Sequence, residues 1–219
     1  FGPWLGPFLA DSPVPDLPLL SYWLARAVVA ACNGEPMKAA LALNMLSAAW
    51  GALCCALLAL MAAGICRGLT SRFEAFLCGV AAGLAFALTP SFSYAATAAG
   101  PTTLSVFLAL ASLACLCLRA GTERGLGLLF LSALCAGLAT ANHPSFAFLL
   151  MLVLLASTSA PSLRYVFLST GLVVLPGFLL GALVPLVTSI AAGESPREFL
   201  AHALQTPYPA IGEGAPHLG

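Results

Sequence analysis

Residues 39–66 read AALALNMLSAAWGALCCALLALMAAGIC, a run of 28 residues without one charged side chain. A helix crosses the hydrocarbon core of a bilayer in roughly 20 residues, so this stretch is long enough to span. Five further apolar stretches follow, at approximately 73–95, 101–118, 126–141, 145–158 and 165–190. The fourth and fifth of the six are short, and short adjacent segments of this kind fold as a tight hairpin among neighbours. Ahead of the first, residues 17–32 contain Tyr22, Trp23 and Arg26, a mix suited to an interfacial helix.

Composition agrees with a lipid-embedded chain. The 219 residues are 61% hydrophobic and 7% charged, with a mean hydropathy of +1.01. A soluble domain carries about 25% charged residues and has polar surface to match. The fold class expected is therefore an all-α polytopic membrane bundle, divided into an external proline-rich loop and interfacial helix (1–38), a membrane bundle (39–190) and an external tail (191–219). Eight basic and eight acidic residues cancel. No basic stripe offers itself to nucleic acid, and disorder needs the opposite balance of charge and apolarity. Seven of the eight cysteines lie in or beside apolar runs, and none forms a Cys-x-x-Cys pair, so they read as small lipid- or core-facing residues without a metal site. The chain opens Phe-Gly-Pro-Trp without an initiator Met, as expected of part of a longer protein.

Charge placement sets the orientation. Arg67 and Arg72, Arg119 and Arg124, and Arg164 occupy alternate connections, so five of the eight basic residues share one side. The positive-inside rule makes that side cytoplasmic. Six of the eight acids, all but Glu74 and Glu123, fall in the opposite segments, which is where chemistry is expected.

Three external features carry it. The loop ADSPVPDLP at 10–18 holds Asp11 and Asp16; either could act as a general base, and either could be a turn-forming residue in water. Asn142-His143-Pro144 marks the apex of the short hairpin, because proline disfavours helical geometry at the residue before it. An amide and an imidazole there can bind a phosphate or a sugar, or His143 can cap backbone carbonyls. Ser195-Pro196-Arg197-Glu198 has the form of a capping box opening a short surface helix, with Arg197 and His202 as possible anion ligands. Asn44 is the main polar residue inside the first span, and no acid or base lies at mid-membrane, which disfavours an ion-coupled transporter.

The order of these segments resembles the GT-C-type membrane glycosyltransferases related to transmembrane protein 260. The likeness rests on Pro15-Asp16-Leu17-Pro18-Leu19, on Leu43-Asn44-Met45-Leu46-Ser47-Ala48 with Gly51-Ala52-Leu53, and on Leu88-Thr89-Pro90-Ser91-Phe92. It continues in Gly137-Leu138-Ala139 with Asn142-His143, and in Gly193-Glu194-Ser195-Pro196 with Phe199-Leu200, His202 and Tyr208. The resemblance implies transfer of a sugar, mannose in the best-known branch, from a polyprenyl-phosphate donor to a protein or glycan acceptor on the non-cytoplasmic face. It implies inversion by direct displacement, with an acidic residue of the first external loop as base. That acidic segment of the family falls at or before Phe1, leaving Asp11 and Asp16 as substitutes within this chain. Asn142, His143, Arg197, His202 and Tyr208 would bind donor or substrate. No cofactor beyond the lipid-linked donor is implied; a divalent metal is compatible but not indicated. The expected setting is a multi-pass protein of the bacterial inner membrane rather than the endoplasmic reticulum, in contact with membrane lipid and open to a membrane complex. The alternatives are a non-catalytic scaffold or complex subunit built on this fold and, behind it, a small-molecule transporter.

Overall fold

The computed structural model describes residues 19–33, 35–97, 102–119, 125–158, 166 and 168–191. Within them the chain is helical throughout, with no strand. The helices are α1 (Leu19–Ala31), α2 (Pro36–Cys66), α3 (Arg72–Ala87), α4 (Pro90–Thr97), α5 (Thr102–Arg119), α6 (Gly125–Asn142), α7 (Phe148–Thr158) and α8 (Leu175–Ala191). A 3-10 turn (Pro144–Ala147) leads into α7, and a π-helical turn (Thr170–Val174) leads into α8.

Local sequence explains the breaks. After α1, Asn33 takes a left-handed conformation (φ 54), which asparagine tolerates better than most residues. Pro36 then opens α2, where its missing N–H costs nothing. Ser71 caps α3: its hydroxyl accepts from the Glu74 N–H while the Glu74 carboxylate accepts from the Ser71 N–H, a complete capping box. The single stretch expected at 73–95 is two helices, α3 and α4, bent by 71°. Pro90 is the cause, since its ring bars Thr89 from helical geometry and its nitrogen cannot donate to the preceding turn. Phe86 and Phe92 stack across the corner at 4.1 Å.

Among the described residues three helices, α2, α5 and α6, are long and apolar enough to cross a membrane, or four if the α3–α4 pair is one bent span. The apolar helices at 145–157 and 170–184 are shorter. The six expected spans thus correspond to three or four helices of spanning length. The fourth stretch, expected to be short, is an 18-residue helix, because it runs through Gly125 and on to Asn142.

This helix, α6, is the centre of the bundle, flanked by α5 on one side and α8 on the other and touched by α1 and α7. Its inward face is small: Ser132, Ala133, Ala136, Gly137 and Ala139 are buried. A Cβ at Gly137 would run into the Phe178 carbonyl of α8, and one at Gly181 of α8 into the Leu134 carbonyl of α6. Two backbones in contact through glycine are the usual means of holding helices together in lipid, where apolar burial supplies no drive. Leu104, Leu108, Leu129, Leu149, Val153 and Val174 fill the core around that seam. A second pair, α2 with α3, closes in the same way at Gly79, where a Cβ would lie 2.6 Å from the Ala59 carbonyl oxygen. The outer faces carry Met37, Leu41, Leu60, Phe73 and Phe76, all exposed. In water such a surface would be costly; in acyl chains it is a matching one.

Candidate functional site

Hydroxyl and amide groups hidden in the apolar runs gather where α6 ends and α1 and α5 begin. Asn142, the last residue of α6, is 2% exposed. Its Oδ1 accepts from the Ser21 N–H at 3.0 Å and from the Ser21 hydroxyl at 2.9 Å. Its Nδ2 donates to the Ser105 hydroxyl at 2.6 Å. Ser21 lies in the first turn of α1, where backbone N–H groups have no partner within the helix. Asn142 thus caps α1 from another helix and ties it to α5. Beside this junction, the Ser47 hydroxyl of α2 bonds the Thr103 hydroxyl of α5 at 3.0 Å and donates to the Ala95 carbonyl of α4 at 3.1 Å. Ser112 and Ser132 join α5 to α6 lower down at 3.0 Å.

His143 follows at the surface. Its Nδ1 accepts from the Ser145 N–H at 3.2 Å, capping the 3-10 turn that Pro144 opens. It caps an amide, therefore, rather than the backbone carbonyls suggested by its place after a helix. An accepting Nδ1 leaves the ring proton on Nε2. The ring meets Phe146 edge-on, 5.6 Å between centroids. Burial holds the imidazole below its ordinary value of 6.5, opposed by a backbone hydrogen bond. A neutral imidazole with Nε2–H as donor is thus the resting form at neutral pH, suited to donating to an anionic oxygen.

The sequence-derived residues part company here. Asn142 and His143 are neighbours, yet the amide is committed to Ser21 and Ser105 inside the bundle while the imidazole stands at its edge. Asp11, Asp16, Arg197, His202 and Tyr208 lie outside the described residues, as does the capping box expected at Ser195–Glu198. Asn44, expected to be the polar residue inside the first span, is exposed, whereas Ser47 on the same helix is buried and bonded. Arg119, counted only as loop charge, donates from Nη1 to the Ala156 carbonyl at 2.7 Å and fastens the end of α5 to the end of α7. The serine and threonine links escape a reading based on charge; Ser47, Ser112 and Ser132 beside alanine and glycine are their sequence signal. Among the described residues no three His, Cys, Asp or Glu side chains are grouped as metal ligands would be.

Comparison with known proteins gives one family. The family model described as protein O-mannosyl-transferase TMEM260 N-terminal domain matches residues 17–161. No curated protein and no solved structure matches the chain. The family match takes in α1 to α7, including Ser21, Ser105, Asn142 and His143, and covers more than half of the sequence. The chain is a member of the TMEM260 N-terminal-domain family of protein O-mannosyl-transferases.

Proposed function

We propose that the chain is the membrane bundle of a glycosyltransferase that moves mannose from a polyprenyl-phosphate donor to a protein or glycan acceptor on the non-cytoplasmic face. The family match is the observation that carries this reading. The charge pattern supports the sidedness, with Arg67, Arg72, Arg119, Arg124 and Arg164 in connections opposite the Asn142–His143 end.

In this mechanism a carboxylate of the first external loop, for which Asp11 and Asp16 are the candidates in this chain, removes the proton from the acceptor hydroxyl. The hydroxyl oxygen attacks the sugar's anomeric carbon, and polyprenyl phosphate leaves with the bonding electrons. The Nε2–H of His143 donates to the phosphate as its charge develops, an interaction worth most in the transition state. Asn142 acts as a positioning residue: it caps α1 at Ser21, five residues after Asp16 in the sequence. Arg197, His202 and Tyr208 complete the site from the tail. The lipid tail holds the donor in the bilayer, so no nucleotide-binding loop is needed. The host membrane is the bacterial inner membrane.

The test is transfer of labelled mannose from polyprenyl-phosphate mannose to acceptor peptides by the purified intact protein. Wild type is expected to label the acceptor. His143→Gln is expected to reduce kcat by about 10- to 100-fold, the weight of one hydrogen bond to a charged group. Absence of transfer from any lipid-linked sugar, with wild-type behaviour of the His143 variant in cells, would favour a scaffold instead.

A further inference from the structure

Arg67 caps the C-terminus of α2 and Arg72 opens α3. Between them the Leu69 and Thr70 N–H groups both donate to the Cys66 carbonyl, at 2.9 Å each, and fold the turn tightly. The two arginines line one cleft, which continues as a groove between the helices bordered by Ala59, Leu60, Ala63, Phe76 and Gly79. Gly79 and Ala59 bring the backbones together, so the groove runs along a seam between two apolar helices.

Both arginines are exposed, and neither forms an ion pair among the described residues, where Lys38 is the cation bonded to Glu35. The neighbouring acid, Glu74, has its carboxylate bound to the Ser71 N–H at 2.9 Å in the capping box. A paired guanidinium cleft matches a phosphate, which each fork can bind with two hydrogen bonds. The apolar groove leading from it matches a hydrocarbon chain. Basic clefts between membrane helices, at the level of the headgroups, have this form when they hold anionic lipid.

We propose that the α2–α3 turn binds an anionic membrane phospholipid, its phosphate between Arg67 and Arg72 and one acyl chain along the groove. The site is separate from the Asn142–His143 junction: Ser47, which contacts that junction's neighbours, lies 20 residues before Arg67 on α2, about 30 Å along the axis. It does not depend on the transferase reading.

Native mass spectrometry of the intact protein, titrated with phosphatidylglycerol, phosphatidylcholine and glycerol 3-phosphate, tests this. Phosphatidylglycerol is expected to be retained in preference to phosphatidylcholine. The variant Arg67→Gln/Arg72→Gln is expected to weaken that retention about 30-fold, each cation near an anionic surface contributing roughly fivefold. Ala63→Phe, which fills the groove and leaves both charges in place, is expected to weaken the lipid and leave glycerol 3-phosphate unchanged. Equal retention of phosphatidylcholine, or undiminished phosphatidylglycerol binding by both variants, would overturn the proposal. Glycerol 3-phosphate binding as tightly as phosphatidylglycerol would also overturn it, assigning the cleft to a soluble phosphate.

Discussion

Asn142 and His143 illustrate how far adjacent polar residues can differ in role. Asn142 satisfies a helix N-terminus and a buried hydroxyl at once. Asn142→Ala would take away the acceptor of the Ser21 N–H and hydroxyl and the donor to the Ser105 hydroxyl, and is expected to cost about 1–3 kcal/mol, read as a lower unfolding midpoint in detergent. Unchanged stability would show that the junction is not held by this amide. His143 gives a pH signature. Its imidazole is held below 6.5 when folded, so between that depressed value and 6.5 the unfolded chain binds more protons. Stability is therefore expected to rise with pH across this window, to be complete above 6.5, and to fall on acidification. His143→Asn keeps a capping oxygen without a titrating ring, and thermal unfolding of that variant should lose the pH dependence assigned to this residue. An identical slope in the variant would assign the dependence elsewhere. The sequence marks this pair through the proline that follows, but it cannot tell which of the two is buried. Asn44 shows the same limit: polarity within an apolar run does not say which face of the helix a residue occupies, and this one is exposed.

Helices were legible where the apolar run is uninterrupted. The expected spans at 39–66, 101–118 and 126–141 lie close to α2, α5 and α6. The bend inside the stretch expected at 73–95 has a plain cause: hydropathy is continuous across Thr89-Pro90, and the corner is a backbone effect that hydropathy does not record. Packing between helices was not legible at all from charge, since it depends on glycines whose neighbours come from distant segments. Gly137→Ala is expected to destabilise the α6–α8 pair by about 1–3 kcal/mol, because its Cβ meets main chain that cannot yield. Gly64→Ala, on a part of α2 with nothing within 4 Å of the new Cβ, is expected to stabilise by roughly 0.5–1 kcal/mol through helix propensity. Chemical unfolding of the two variants side by side checks the seam; similar effects at both sites would contradict it. At the start of α3, Ser71→Ala removes the hydroxyl that accepts the Glu74 N–H, at an expected cost of about 1 kcal/mol in the same measurement.

At the scale of the whole molecule, a chain with no net charge distributes its charges unevenly along the sequence. Five basic residues mark the connections on one side, and six of the eight acids belong to segments assigned to the other. The polar junction of α1, α5 and α6 stands at the end away from the Arg67–Arg72 turn, joined to it through the length of α2. The α2 helix extends about 46 Å, more than the ~30 Å hydrocarbon core, so it is long enough for its two ends to reach opposite boundary regions. Much of this architecture follows from composition and from five arginines. The candidate site was legible only in part, because spacing in sequence does not say which loop residues meet in space, and Asp11, Asp16, Arg197, His202 and Tyr208 lie outside the described residues. Function and sidedness meet in one measurement: peptide mannosylation in proteoliposomes of defined orientation, with polyprenyl-phosphate mannose in the bilayer and the acceptor on one side at a time. Labelling is predicted only when the acceptor is on the side opposite the Arg67–Arg72 turn, with loss of rate in His143→Gln. Labelling from the arginine side, or none from either, would contradict it.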